Sequence, residues 1–449
     1  MTTQKAASQL TTRTPSPIIV GFALFAMFFG AGNLIFPVMI GVESGANLLP
    51  VLAGFLLTGV ALPILAMIVI STETARELRL GGVAMRIGRP AGFLFTLAIF
   101  LSTGMLYAVP RVATVAYEMS TRPFIPDSAL TTGTPLLVFT LVFFAVITLF
   151  LLNPTRVVGR VGGILTPLLL GFLALLIVVA IVRLPQIISE GGYPAPLTTG
   201  IVKGYYTMDA LGAFVFGVVI VAELKKRGAD TRPERIRGMV SAGLVAGTCL
   251  ALVYVGLAVV GSRYGGQAFT NGAEVLASVA GQMFGSLGQV IFGAITLLAC
   301  LTTAIGLLTA STTYFTRLLR VVPRSAVIAI QIVISIALAN LGLEKILDVV
   351  APLNQFIYPV AIVLVVLGVF EFVLPFALDW AYKLGAFAAA VVAFGEAGLL
   401  AAPERFSVIE PVVNALPFAD LKMAWTVPAL VAIVVGVVFD ARRRMPRRV

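Results

Sequence analysis

The sequence predicts an all-α polytopic membrane protein built as two inverted five-helix repeats with two further helices after them. Three observations predict it. Of the 449 residues 59% are hydrophobic and 11% charged, and the mean hydropathy is +1.05, which is more apolar surface than a soluble chain of this length can bury. Apolar stretches of the roughly 20 residues that cross hydrocarbon recur twelve times along the chain. The first and sixth are each interrupted in mid-stretch by glycine and polar residues, in matching positions of two five-span halves.

The expected spans lie near 17–41, 48–70, 91–114, 135–152, 162–183, 201–222, 239–261, 286–310, 325–341, 351–374, 384–401 and 424–440. They divide the chain into a polar N-terminal segment 1–16, a first repeat 17–183 of five spans, and a second repeat 201–374 of five more. Two extra spans fall within 384–440, and a basic tail covers 441–449. The leading segment is polar and the first span exceeds the apolar core of a signal peptide, so no cleaved leader is expected. An odd number of spans per repeat forces the halves into opposite orientation. The halves are then related by a pseudo-two-fold axis in the membrane plane, an arrangement that allows rocking between two faces.

The first span breaks within Phe28-Phe29-Gly30-Ala31-Gly32-Asn33-Leu34-Ile35-Phe36-Pro37, first at the glycines and then at Pro37. Hydrocarbon offers no water to exposed N–H and C=O groups, so unwound backbone at that depth survives only where protein, ion or substrate supplies partners. Two glycines admit a ligand close to the main chain, and Asn33 adds a neutral oxygen. The sixth span is interrupted in Gly204-Tyr205-Tyr206-Thr207-Met208-Asp209-Ala210-Leu211-Gly212-Ala213-Phe214-Val215-Phe216-Gly217. Paired broken spans of this kind mark a midplane binding site in secondary transporters such as the bacterial leucine transporter LeuT.

Charge follows membrane sidedness. With the N-terminus inside, inner segments hold 23 of the 31 basic residues, among them Arg76, Arg79, Arg86 and Arg89, then Lys225, Lys226, Arg227, Arg232, Arg235 and Arg237, and the tail residues Arg442, Arg443, Arg444, Arg447 and Arg448. This bias puts both termini in the cytoplasm, and it accounts for the net charge of +11 without a nucleic-acid partner. Cys249 and Cys300 fall mid-span, where cysteine packs as a small hydrophobe. The chain has no histidine, which removes imidazole relays and the commonest metal ligand. A channel would carry filter repeats, and an intramembrane protease paired aspartates or a Ser/His pair. Neither pattern is present, so no enzyme is expected.

Three motifs in order resemble the branched-chain amino acid:cation symporter (BrnQ, or LIVCS) family: Phe28 to Pro37, Pro110-Arg111-Val112-Ala113-Thr114-Val115-Ala116-Tyr117-Glu118 in the third span, and Gly204 to Asp209. The resemblance covers essentially the whole chain. It implies the LeuT-like fold of the amino acid-polyamine-cation superfamily and sodium-coupled uptake of leucine, isoleucine and valine across a bacterial inner membrane. The alternative is proton- or sodium-coupled transport of another neutral amino acid or small solute. No cofactor beyond sodium as coupling ion is expected, and the sequence leaves the oligomeric state unassigned.

Where the first span breaks, the second half-helix starts with free N–H groups and a positive dipole end, which suits an α-carboxylate. Gly30, Ala31 and Gly32 are its expected contacts. In the eighth span, Ala299-Cys300-Leu301-Thr302-Thr303 resembles the superfamily's second sodium site. That resemblance implies the carbonyls of Ala26, Phe29 and Ala299 and the hydroxyls of Thr302 and Thr303 as ligands. Asn33 resembles the first-span asparagine that coordinates sodium in the LeuT family.

Asp209, a carboxylate at membrane depth, has two readings. With Thr207 and Asn33 it completes a second cation site near the substrate's ammonium group, or it pairs with Arg111, for which Glu118 is the other candidate partner. An apolar side chain needs a dry pocket that discriminates single methylenes only weakly; Phe25, Tyr107, Phe214 and Phe216 are candidates for its wall, with the Tyr107 hydroxyl in reach of the carboxylate. Between the seventh and eighth spans, Asn271-Gly272-Ala273-Glu274 opens an amphipathic segment expected to form an external lid, with Glu274 as a helix-start charge.

Overall fold

The computed structural model describes residues 17–73, 81–126, 128, 133–152, 157–185, 192–269, 271–341 and 343–443, apart from the side chains of 31 and 343–351. The expected N-terminal segment, the end of the basic tail, and Arg76, Arg79 and Arg156 lie outside the described residues. Those described form helices joined by turns and short loops, with no strand, as a chain spanning hydrocarbon does when every amide is to be satisfied within its own segment.

The first span is two helices, α1 (Pro17–Phe28) and α2 (Ala31–Glu43), bent by 73°. They are followed by α3 (Gly45–Ser71), α4 (Arg89–Phe124), α5 (Thr134–Leu151) and α6 (Val157–Arg183). The sixth span is again double, α7 (Pro196–Tyr205) and α8 (Asp209–Lys226), bent by 44°. Then come α9 (Arg232–Ser262), α10 (Gly272–Phe284), α11 (Ser286–Leu318), α12 (Arg324–Ala339), α13 (Leu343–Val373), α14 (Trp380–Ala401) and α15 (Thr426–Arg443). Helices stand at all twelve expected positions. Eight are long and apolar enough to cross a membrane, ten if each bent pair is one span, so length and composition do not by themselves establish the count of twelve.

Both breaks are where the sequence put them, with a shift. Pro37 sits inside α2 without interrupting it, so the first break is confined to Phe29 and Gly30, and α2 starts two residues before Asn33. The sixth-span break covers Tyr206 to Met208. It turns on Met208, whose φ of 58° is left-handed in a non-glycine residue, a conformation costing about 1–2 kcal/mol.

The two bent spans are packed reciprocally: α1 and α2 lie along α9, while α7 and α8 lie along α3. Exchanging first with sixth span and second with seventh leaves this pattern unchanged, as inverted repeats require. Glycines let the backbones touch. A Cβ on Gly41 would stand 2.0 Å from the Ala258 carbonyl oxygen and one on Gly261 2.0 Å from that of Val38; across α7 and α3 the matching distances are 1.9 Å from Gly200 to Val51 and 2.1 Å from Gly54 to Leu197. Small residues play this part between membrane helices because close van der Waals packing replaces the hydrophobic effect there.

A third interruption was not expected. Within α4 the Ser102–Leu106 turn is wound as a π-helix, and Gly104 leaves helical geometry altogether (φ −89°, ψ −122°). Buried polar groups close around it. Ser102 Oγ donates to Asn354 Oδ1, Ser335 Oγ donates to the Met105 carbonyl at 3.5 Å, and Gln331 Nε2 donates to Ser311 Oγ at 2.8 Å.

Candidate substrate and cation site

The breaks of the first and sixth spans meet in the middle of the bundle. At the first, Gly30 N donates to Phe28 O (2.9 Å) rather than to the carbonyl four residues back. That leaves Ala26 O for another donor, and Thr303 Oγ1 of α11 supplies one at 3.3 Å. Asn33 Oδ1 turns back to accept from Gly30 N at 3.3 Å. Its amide crosses to the other break, donating to Asp209 Oδ2 at 2.7 Å and to the Tyr254 hydroxyl of α9 at 2.5 Å. All three side chains are buried. Asp209 is the first residue of α8, where the free amides of the helix start favour a carboxylate.

Around this bridge lies an open-mouthed cavity of about 140 Å³, walled by Gly30, Gly32, Tyr107, Thr207, Phe216 and Thr303 among others. Its lining is mostly apolar (Met27, Ile35, Val112, Leu211 and Leu307 are examples), with Asp209 and Arg111 as its charged side chains. Phe28 and Phe216 meet edge-to-face at 5.2 Å. Beyond the cavity a vestibule continues past Ile35, Arg111 and Val115 to Glu118, Met119, Glu274 and Phe292, against α10. The segment expected as a lid is this helix, started by Asn271, whose side chain accepts from the amides of Ala273 (3.0 Å) and Glu274 (3.1 Å).

The expected sodium ligands cluster where α1 meets α11. Thr303 faces Ala26, while Thr302 Oγ1 donates to its own helix, to Leu298 O at 2.9 Å and Ala299 O at 3.0 Å. A hydroxyl so engaged keeps its lone pairs. Thr207 lines the cavity but donates to Gly204 O at 2.8 Å. Gly30, Gly32, Tyr107 and Phe216 all line the cavity as expected; Ala31 opens α2, and its side chain lies outside the described residues.

Four expectations are corrected. Phe214 does not reach the cavity and packs on Phe95, ring centroids 6.1 Å apart. Phe25 stacks on Phe29 at 5.1 Å in the core. Among the described residues Arg111 makes no ion pair with Asp209, although both line the cavity. Nor does it pair with Glu118, whose partner is Arg122 one turn on; Arg111 instead donates to the Tyr107 hydroxyl at 3.0 Å. The sequence reading missed Tyr254, Thr103 and Asn354, polar residues in apolar spans, Thr103 beside Ser102 and Asn354 beside Gln355, whose signal was their cost in hydrocarbon.

Two bent helices facing each other across a cavity in the middle of an apolar helical bundle are the architecture of a membrane transport protein. The fold agrees: the chain is similar to the closed, bromovinylhydantoin-bound structure of Mhp1, a nucleobase-cation-symport-1 family transporter, with a TM-score of 0.57 and 14% identity over 95% of this chain and 93% of that one. The inward-facing conformation of Mhp1 matches with a TM-score of 0.55, at 15% identity over 94% and 91% of the two chains. These place the chain in the LeuT fold.

The chain belongs to the branched-chain amino acid transport protein family, whose profile matches residues 14–443. It is 37% identical to the branched-chain amino acid transport system 2 carrier protein of Pseudomonas aeruginosa, over 96% of this chain and 97% of the relative. To the permease BraB of Bacillus subtilis it is 36% identical over 94% of each, and to the permease BrnQ of Escherichia coli 34% over 95% and 96%. The protein is therefore a multi-pass membrane transport protein and not an enzyme.

Proposed function

We propose that the protein is a sodium-coupled symporter that imports leucine, isoleucine and valine across a bacterial cell membrane by alternating access, with both termini cytoplasmic. The observation that carries this reading is the Asn33–Asp209 bridge at 2.7 Å: it draws the exposed backbone of both breaks to one cavity, where substrate and cation share neighbours. The amino acid's carboxylate lies against the amides that open α2 at Gly30, Ala31 and Gly32, and its apolar side chain lies against Phe216, Leu211 and Leu307. Sodium is held between α1 and α11 by the carbonyls of Ala26, Phe29 and Ala299 and the hydroxyls of Thr302 and Thr303, an all-oxygen set suited to a hard cation. A second cation or the substrate ammonium group is held by Asn33, Asp209 and Thr207. The inverted repeats 17–183 and 201–374 rock about this site. The basic residues beside α3, α8 and α15 face the cytoplasm, where the positive-inside rule puts them.

The test is uptake of radiolabelled leucine into liposomes holding the purified protein, under an inward sodium gradient and under matched potassium and proton gradients. Uptake driven by sodium alone supports the reading. Asp209 favours the rival, proton coupling, because its contacts are neutral and a buried carboxylate without a counter-charge is costly; uptake driven by a proton gradient in sodium-free medium would establish that rival.

A further inference from the structure

Arg111 is the one basic side chain on the cavity wall, and no carboxylate neutralises it among the described residues. It stands at the neck where cavity and vestibule join, lining both. Its guanidinium faces the first turn of α2: a Cβ built on Gly32 would lie 4.0 Å from Arg111 Nη2. Two positive elements, a guanidinium and a helix N-terminus, therefore confront each other. An anion between them would relieve both.

The neighbouring phenol points the same way. The Tyr107 oxygen accepts from Arg111 Nη1 at 3.0 Å, so its own proton is free to be donated into the cavity it lines. Arg111 thus fixes Tyr107 as a donor. Asp209, the opposite charge, is bound to Asn33 and makes no ion pair with Arg111. Positive and negative groups held apart in one largely apolar cavity match a zwitterion with an apolar side chain.

We propose that Arg111 is the carboxylate receptor of this site and sets its selection for substrates bearing a free α-carboxylate. The assignment rests on the reading that the cavity takes an amino acid. A guanidinium offers paired donors to a carboxylate, and the α2 amides and the Tyr107 hydroxyl complete the set.

The experiment measures leucine KM, the half-saturating sodium concentration, and inhibition by leucinamide, which keeps the amine and side chain but lacks the carboxylate. Wild type, Arg111→Gln and Arg111→Lys are compared in liposomes, each checked for monodisperse elution in detergent. Arg111→Gln is expected to raise leucine KM by about 10- to 100-fold, the size of a lost charge-assisted hydrogen bond. Leucinamide inhibition and sodium dependence should stay as in wild type, and Arg111→Lys should recover part of the loss. Equal shifts for leucine and leucinamide, or an unchanged leucine KM, would overturn the assignment while leaving the transporter reading intact. Absence of leucine uptake by the wild type would instead overturn that reading, and the assignment with it.

Discussion

Asn33 and Asp209 lie 176 positions apart and on the two different bent spans, yet the Asn33 amide donates to the Asp209 carboxylate at 2.7 Å. Each stands within a turn of the break in its own span. The bond joins the two breaks, and Tyr254, accepting the other Asn33 proton at 2.5 Å, fixes the amide between them.

Asp209→Asn keeps the shape of this bridge and removes its charge. The account expects the variant to insert and elute normally but to lose at least about tenfold in sodium-driven leucine accumulation, the scale of a charge-assisted contact. Accumulation at the wild-type level would reduce Asp209 to a structural role.

For Thr303→Ala, the half-saturating sodium concentration for uptake should rise about three- to tenfold, in line with loss of one oxygen partner, with leucine KM at saturating sodium little changed. Thr303 reaches across to Ala26 O whereas Thr302 is bonded within α11, so the effect should exceed that of Thr302→Ala. Sodium activation curves read both.

Two glycines of α2 should behave oppositely. A Cβ on Gly32 meets nothing nearer than 3.9 Å and points into the cavity, whereas one on Gly41 would be 2.0 Å from the Ala258 carbonyl. Gly32→Val should therefore yield folded protein that no longer binds leucine. Gly41→Val should fail to assemble, as elution profiles will show before any transport assay.

Asp440 is fully buried at the end of α15 and accepts from the amides of Asp379 (2.9 Å), Trp380 (3.0 Å) and Ala381 (3.0 Å), capping α14. Asp440→Ala leaves those donors unsatisfied, at about 1–3 kcal/mol for a buried group. A lowered unfolding temperature in detergent, with unchanged KM for the surviving protein, is the expected result.

The interruptions of the first and sixth spans were legible because hydrocarbon demands regular backbone, which makes glycine and polar residues at mid-span conspicuous. Gly104 follows Ser102 and Thr103 in mid-span, a shorter sign of the same kind that was passed over; its surroundings, with Asn354 accepting from Ser102 Oγ and Ser311 Oγ 2.8 Å from where a Cβ on Gly104 would stand, come from distant helices that the sequence does not place. For Arg111 the partner, Tyr107, lies one turn earlier on the same helix, an i,i+4 spacing legible in the sequence but passed over in favour of the carboxylates Asp209 and Glu118. Phe214 and Phe216 were a different case. Residues two apart on an α-helix point about 200° apart, so only one could face the substrate, and Phe216 does.

The most direct test of the central claim is equilibrium binding of leucine to the purified protein by titration calorimetry, in sodium and in choline, for wild type and Thr303→Ala. One shared site predicts that sodium tightens wild-type leucine binding by at least about tenfold, the size of an ordinary coupling energy, and that Thr303→Ala shifts this gain to higher sodium. Leucine affinity that is the same in sodium and choline would contradict it.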